Sequence, residues 1–463
     1  MAFPLLILLL LGTEEAAAQP VLPEAEDAFA EALAFFEAEE FAAAFEGFHH
    51  VIVGFAQHRK TDAATLMAAK ALYRTGDYAA TAAMLTAFVD QYPESRYRDA
   101  AERTRRHAQS QQAKQEREQS AIRIGIALPL NAEDFALTQS LYRGIEIAVE
   151  EHNAGEERLV RMLFHDTRNS MGGAREAVAR LVRENVDVIV GPLYSAEALA
   201  AARLADREGV VMVAPLATDT DIARGRRHVF QANPPIAHRG EFMARVAVEQ
   251  LATETVGVIS QMGNAASEEM AAAFHDQALR MGAEVVFHES LDSARDWAEL
   301  PDIIESLDSV DAVYLPVQAS GGGDTRRLIL QTLGRLSPAP HILGGTAWNS
   351  DAYSQYARSL GVSVTFADAF YVNHNLPAIR RFKVRYEEKT GDPDPGRLAY
   401  VGYDVAQYLL GHLQREEASP LASKLQVSEM YEGLGTRIKF DRNHANEAMF
   451  LLTYTIGGVG GVR

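Results

Sequence analysis

Apolar positions between residues 186 and 218, VDVIVGPLYSAEALAAARLADREGVVMVAPLAT, cluster in two short runs, 186–190, interrupted by Asp187, and 210–213. Each run stops at a proline-bearing turn, GPL or APL, and a small hydroxyl residue follows, Ser195 in one case and Thr218 in the other. Residues 196–208 between them carry apolar side chains at helical spacing. Short β-branched runs on either side of one amphipathic helix predict adjacent parallel strands, buried on both faces and joined by a crossover. The rhythm extends backwards: IRIGIALPL reads as a strand, 141–153 as a helix, VRMLFHD as a strand and 172–184 as a helix. Right-handed crossovers turn this order into a doubly wound parallel sheet.

A second alternating series follows, with helices at 241–251, 268–281, 297–307 and 325–333 and strands at 255–260, 283–289, 311–317 and 341–345. Two comparable α/β halves in tandem predict two lobes with a cleft between them. The strand VTFADAFYV should carry the chain back towards the first lobe, where 379–391 and 400–413 are helices, and 437–456 should close the chain as a hairpin. In sheets of this kind ligands sit beyond the carboxyl ends of the strands, where Ser195 and Thr218 fall, and the N–H groups that open each following helix attract anions.

Residues 24–106 are of a different kind, rich in alanine and aromatics at helical spacing. Phe41, Phe45, Phe48 and Ile52 recur thirty-seven residues later as Tyr78, Ala82, Leu85 and Val89. Such a period looks like tetratricopeptide repeats, a surface for a protein partner. Residues 105–120, RRHAQSQQAKQEREQS, contain no large apolar side chain and predict a solvated helical linker.

At 463 residues the chain is too long for one ordinary domain. A net charge of −19 gives nucleic acid no electrostatic support, and no basic stripe offsets it. The apolar run 3–11 with Ala16, Ala17 and Ala18 after it resembles an export signal, which implies a periplasmic protein, soluble after cleavage. No stretch approaches the ~20 apolar residues of a bilayer span. The absence of cysteine excludes disulfides, thiolate metal sites and a lipidated N-terminal cysteine. Fourteen histidines are scattered, with His49-His50 the one adjacent pair, so no metal site or cofactor is expected. GxSxG, HExxH, GxGxxG and the P-loop are absent, and Asp166 and Asp404 read as structural caps, which argues against an enzyme.

The segments IGIALPL, GIEIAVEEHN, VDVIVGPLYSAEA, VMVAPLATDTDI, RMGAEVVF, VDAVYL, FKVRYEEKTGDPDP, AYVGYDVAQ and GTRIKFDRN carry a resemblance in their order and spacing. From about residue 122 onwards the chain resembles the type I periplasmic binding proteins, in particular the leucine/isoleucine/valine-binding branch. The resemblance implies an α/β fold of two doubly wound lobes that capture a ligand by closing, here preceded by the all-α repeats. The organisation expected is a signal at 1–18, repeats at 19–106, a linker at 107–120 and the binding-protein fold at 121–463. Lobe 1 would span about 121–238 and 371–420, and lobe 2 about 239–370 and 430–463.

In amino-acid-binding members the first lobe holds the ligand carboxylate, and the matching positions here are Ser195, Leu216 through its backbone, Ala217 and Thr218. Either hydroxyl serves equally well as a helix N-cap. The second lobe departs from the pattern: Ala266 and Ser267 replace the usual Tyr-Gly, and Thr346 falls where an acid should meet the ligand's ammonium. A buried ammonium without a carboxylate or aromatic face is costly, which argues against an ordinary zwitterionic amino acid. Gln261, Asn264, Gln318, Thr346 and Trp348, all neutral, are the remaining candidates on that side. The implied function is non-catalytic capture of a small polar ligand for a membrane transporter. Repeats fused before this fold also look like the penicillin-binding-protein activators, which would make a peptidoglycan synthase the partner.

Overall fold

The computed structural model describes residues 22–462 apart from 57, 132, 156–157, 293, 319–324 and 414–418. The expected export signal at 1–18 lies outside the described residues. Between Ser120 and Ala121 the chain divides into two compact units.

In the first unit α1 (Pro23–Glu37), α2 (Phe41–Gly54), α3 (Thr61–Thr75), α4 (Tyr78–Gln91) and α5 (Arg98–Gln119) follow one another through short turns. Gly76, at a φ of 86°, ends α3, and Asp77 then caps α4 by accepting from the Ala80 amide at 2.9 Å. Phe48 of α2 and Leu85 of α4 occupy equivalent places in the repeat, and both are buried. The aromatic and alanine spacing therefore built helical hairpins as the sequence predicts. On α5 the buried residues are Ala101 and Ala108, and the helix continues without a break through the polar stretch.

The second unit begins with β1 (Ile122–Leu128), α6 (Phe135–Gly155), β2 (Val160–Asp166), α7 (Met171–Arg183), β3 (Val188–Val190), α8 (Ser195–Glu208), β4 (Val211–Ala214) and β5 (Val229–Gln231). These strands form a parallel sheet in the order β2-β1-β3-β4-β5. Val188, Val190, Val211 and Val213 point to one face, against Leu141 and Ile145 of α6. Ile189, Met212 and Ala214 point to the other, against the alanines of α7 and α8. Burial on both faces is why the runs are apolar throughout rather than alternating.

The chain then passes into α9 (Ile236–Arg245), β6 (Thr255–Gln261), α10 (Ala265–Arg280), β7 (Glu284–Leu291), α11 (Ala294–Ala298), α12 (Leu300–Ile303), β8 (Ala312–Leu315), α13 (Thr325–Leu333), β9 (His341–Gly344), α14 (Asp351–Ser359) and β10 (Val364–Asp368). It continues as α15 (Pro377–Thr390), α16 (Arg397–Leu413), α17 (Leu421–Val427), β11 (Tyr431–Glu432), β12 (Arg437–Ile438), β13 (Phe450–Thr455) and β14 (Gly458–Gly461). The second sheet runs β14-β13-β10-β9-β8-β6-β7, parallel except for β13 and β14. Val401, Val405 and Leu409 of α16 return to the core of the first sheet beside α6. That crossing is close: a Cβ on Gly402 would lie 2.1 Å from the Leu141 carbonyl oxygen.

Three segments join the lobes and knit to one another. Asn446, fully enclosed, donates to the Ala232 and Arg437 carbonyls at 2.7 Å each and accepts from the Lys439 and Ala448 amides at 2.9 and 3.0 Å. Gln231 and Asn446 also bridge through their backbones, and Tyr371 donates to the Gly435 carbonyl at 3.0 Å.

Three expectations need correction. The helix expected over 297–307 is broken into α11, α12 and a short 3₁₀ turn, because Pro301 lacks an N–H and stands in the first turn of α12. The strand expected over 364–372 ends at Asp368, whose side chain accepts from the Phe370 amide and turns the chain away. The closing hairpin is β13–β14 alone, while Arg437 and Ile438 pair with β11.

Candidate ligand-binding cleft

The carboxyl ends of β3 and β4 set Ser195 and the 216–219 turn side by side. Ser195 opens α8 and its Oγ accepts from the Thr218 amide at 3.1 Å and the Asp219 amide at 3.3 Å. It does not cap its own helix, since the N-cap position is Tyr194 and carries no side-chain cap. No helix starts at Thr218, so that cap is absent too, and its Oγ1 makes no hydrogen bond among the described residues. The turn's carbonyls face the crossover: Leu216 accepts from Asn233 Nδ2 at 2.7 Å, Ala217 from Gln231 Nε2 at 3.4 Å, and Thr218 from the Ile236 amide at 3.3 Å.

Beside Ser195 lies a buried acidic cluster that sequence reasoning missed. Asp134 accepts from the Tyr194 hydroxyl and from Asn169 Nδ2, the latter at 2.8 Å. Burial, reinforced by Asp134, pushes the Tyr194 phenol up to about 12. Glu197, in the first turn of α8, accepts from Thr167 Oγ1 at 3.0 Å, and burial raises its carboxyl to about 7.

On the second lobe Gln261 ends β6 and accepts through Oε1 from the Gln318 amide at 3.1 Å, so these two candidates meet. Asn264 caps α10 by accepting from the Ser267 amide at 3.0 Å, a structural task. Thr346 Oγ1 donates to Asp368 Oδ1 at 3.1 Å, and Asn349 Nδ2 to Asp368 Oδ2 at 2.9 Å. An acid therefore stands next to Thr346 after all, carried by the neighbouring strand β10. Trp348 is excluded from the cleft: it is fully buried in the second lobe's core, its indole N–H donating to the Leu315 carbonyl at 3.0 Å. Its large apolar ring beside Gly344 fills a core position.

A cavity of about 1030 Å³ lies mainly against the first lobe, where Ser140 of α6, Leu216 of the turn and Arg397 of α16 line it, and it reaches the crossover at Asn233 and the second lobe at Arg239 of α9; Ser195, Thr218, Gln261, Asn264, Gln318 and Thr346 do not line it. Asn233 links the sides, since it donates to Leu216 and its Oδ1 accepts from Arg239 Nη2 at 3.3 Å. Arg239 was legible only as a charged residue before Gly240 at a helix start. Asp166 accepts from the Leu130 and Arg168 amides, and Asp404 from the amides of Leu434, Gly435 and Thr436. Asp166 ends β2 and holds a turn there, as expected of a cap, whereas Asp404 lies in the middle of α16 and holds the 434–436 turn from a distant part of the chain, so it caps no helix start.

This geometry of a doubly wound lobe pair with polar groups at its facing strand ends has counterparts. The sequence profile described as periplasmic binding protein matches residues 121–458. One described as outer membrane lipoprotein matches residues 23–125. The Leu/Ile/Val-binding protein homolog 7 of Brucella suis is 26% identical over 358 residues, covering 70% of this chain and 86% of its own. Leu/Ile/Val-binding protein BraC3 of Rhizobium johnstonii is 25% identical over 229 residues, 48% of this chain and 61% of its own. Among solved structures, a putative branched-chain amino acid ABC transporter protein from Rhodospirillum rubrum superposes with a TM-score of 0.64 at 22% identity, over 74% of this chain and all of its own. The substrate-binding protein of Desulfitobacterium hafniense in complex with Leu gives 0.53 at 21% identity over 74% of this chain and 100% of its own. The structural likenesses speak for the fold, and the profile match takes in nearly all of the second unit, so the chain belongs to the periplasmic binding protein family.

Proposed function

We propose that the protein is an exported, non-catalytic solute receptor of the leucine/isoleucine/valine-binding type, which captures a small polar, amino-acid- or peptide-like ligand between its lobes and hands it to an ABC transporter. The observation that supports this most is the cavity of about 1030 Å³ against the first lobe, which reaches the crossover at Asn233 and the second lobe at Arg239. A ligand that touches both walls stabilises the closed arrangement by its differential affinity for it. The Brucella and Rhizobium relatives named as Leu/Ile/Val-binding proteins point the same way. Thermal-shift screening of the full chain against amino acids, short peptides and muropeptides tests it. A ligand that raises the melting temperature dose-dependently is the expected result, and a blank screen refutes the reading.

One observation favours a second reading. The helical unit resembles an outer membrane lipoprotein, and repeats of this type bind protein partners. A regulator of peptidoglycan synthesis acting by protein contact would change the rate of a purified peptidoglycan synthase with no small ligand present. An unchanged rate would remove that reading.

A further inference from the structure

Arg239 and Arg397 stand on the same cavity, one from each lobe, and no carboxylate among the described residues lies within ion-pairing distance of either. The other cations on that wall are satisfied: Arg143 pairs with Glu146 at 2.6 Å, and Lys389 with Glu146 and Glu150 at 3.2 and 2.5 Å. Arg239 spends Nε and Nη2 on the Pro234 carbonyl and Asn233 Oδ1, at 3.3 to 3.4 Å, and Nη1 makes no hydrogen bond among the described residues. Arg397 lies over the Phe370 ring at 5.1 Å, an arrangement that leaves its planar fork of donors open. On the same wall the Ser140 hydroxyl is buried and has no partner.

Arg239 is largely withdrawn from water without a counter-charge, which is costly, and although Arg397 is exposed, two guanidiniums that line one cavity repel. The repulsion is felt here: burial and then the charge of Arg397 lower the Arg239 pKa, with Asp368 opposing at longer range. A chain of net charge −19 has no general attraction for anions, so an unpaired pair of arginines at the lobe junction is a local feature with a local use. An oxyanion between them satisfies the free donors, cancels the repulsion and ties α9 to α16, which is what closure requires. Planar forks match a carboxylate in bidentate fashion better than they match a point charge.

We propose that Arg239 and Arg397 together hold the carboxylate of the captured ligand, which makes the receptor selective for organic acids. This rests on the receptor reading above. It places the anion on the arginine pair and not on the Ser195 and Thr218 edge, where the amides of Thr218 and Asp219 already donate to Ser195.

Calorimetry on the full chain with leucine, 4-methyl-2-oxopentanoate and inorganic phosphate tests it, in the natural protein and in Arg239→Gln and Arg397→Gln. The oxo acid should bind the natural protein, and each substitution should weaken it roughly ten- to a hundredfold, the loss expected for a hydrogen bond to an ion. Arg239 also braces Asn233 and Pro234, so melting temperatures are taken alongside. Arg397→Gln, on an exposed residue, decides the matter if Arg239→Gln does not fold. A carboxylate bound equally well by both variants overturns the inference and leaves the receptor reading intact. So does phosphate binding as tightly as the oxo acid with the same dependence on both arginines. Silence with both carboxylates while the wider screen returns an uncharged ligand again overturns this inference alone. Silence throughout takes the receptor reading with it.

Discussion

Replacing Glu197 by glutamine should make the protein's stability less dependent on pH, by an amount that follows from the surroundings of this one carboxyl. Glu197 is 2% exposed; Oε2 accepts from Thr167 at 3.0 Å, while Oε1 is buried with no partner. Burial is the largest influence, Asp134 and Asp166 add to it, and Thr167 opposes, so that the folded-state value is about 7 against an ordinary 4.5. Between those values the folded chain holds more protons than the unfolded one, so stability falls as pH rises. The contribution is complete below pH 4.5 and lost once the pH has passed 7. At 1.36 kcal/mol per unit the loss comes to about 3 kcal/mol. Glutamine keeps an acceptor for Thr167 and cannot ionise, so the variant escapes the loss. In urea unfolding followed by far-ultraviolet circular dichroism, the variant's stability relative to the natural protein should therefore rise by about 3 kcal/mol from pH 4 to pH 8. A difference independent of pH would mean that Glu197 is ionised in the folded protein and would refute the argument.

Three further outcomes are expected. Ser195→Ala leaves the Thr218 and Asp219 amides without an acceptor and should lower stability by about 1 to 2 kcal/mol, measured as a drop in urea midpoint, whereas Thr218→Val should cost under about 1 kcal/mol. Gly402→Ala drives a methyl to 2.1 Å from a backbone oxygen of α6 and should destabilise by about 3 kcal/mol; a melting temperature equal to that of the natural protein would contradict the close crossing. Limited proteolysis should cut first within residues 105–120, where α5 carries no large apolar side chain, and mass spectrometry that places the first cuts elsewhere would oppose this.

Much of the fold was legible because burial leaves a plain mark on parallel strands. Val188, Ile189 and Val190 face two cores between them, so all three must be apolar, and the run announces itself. The break at 297–307 was overlooked because apolar spacing was given more weight than Pro301, although a proline in that position removes an N–H the helix needs. The site was harder to read. Ser195, Leu216 and Thr218 lie together because the strand ends place them, and position along the chain suffices to find such residues. Asp134, Arg239, Asp368 and Arg397 come from a loop, two helix starts and a strand end, and a charged residue in such a place looks the same in sequence whether it points to solvent or into a cavity. Trp348 shows the converse error: an aromatic after a strand was read as cleft-lining when the lobe's core required it.

The return of α16 to the first sheet has a bearing on how the chain is made. The strands of that sheet are complete by Gln231, but the face that carries Ile124, Val188 and Val213 is covered by α6 alone until Val401, Val405 and Leu409 arrive. The second sheet is in a similar position, since β10 gains its neighbour β13 only when residues 450–455 are made. A nascent chain can therefore bury the face against α7 and α8 early but leaves the other face part-open until α16 is made, and pairings so distant in sequence form slowly. Long-lived exposed apolar faces invite chaperone binding, and they keep the polypeptide threadable for longer.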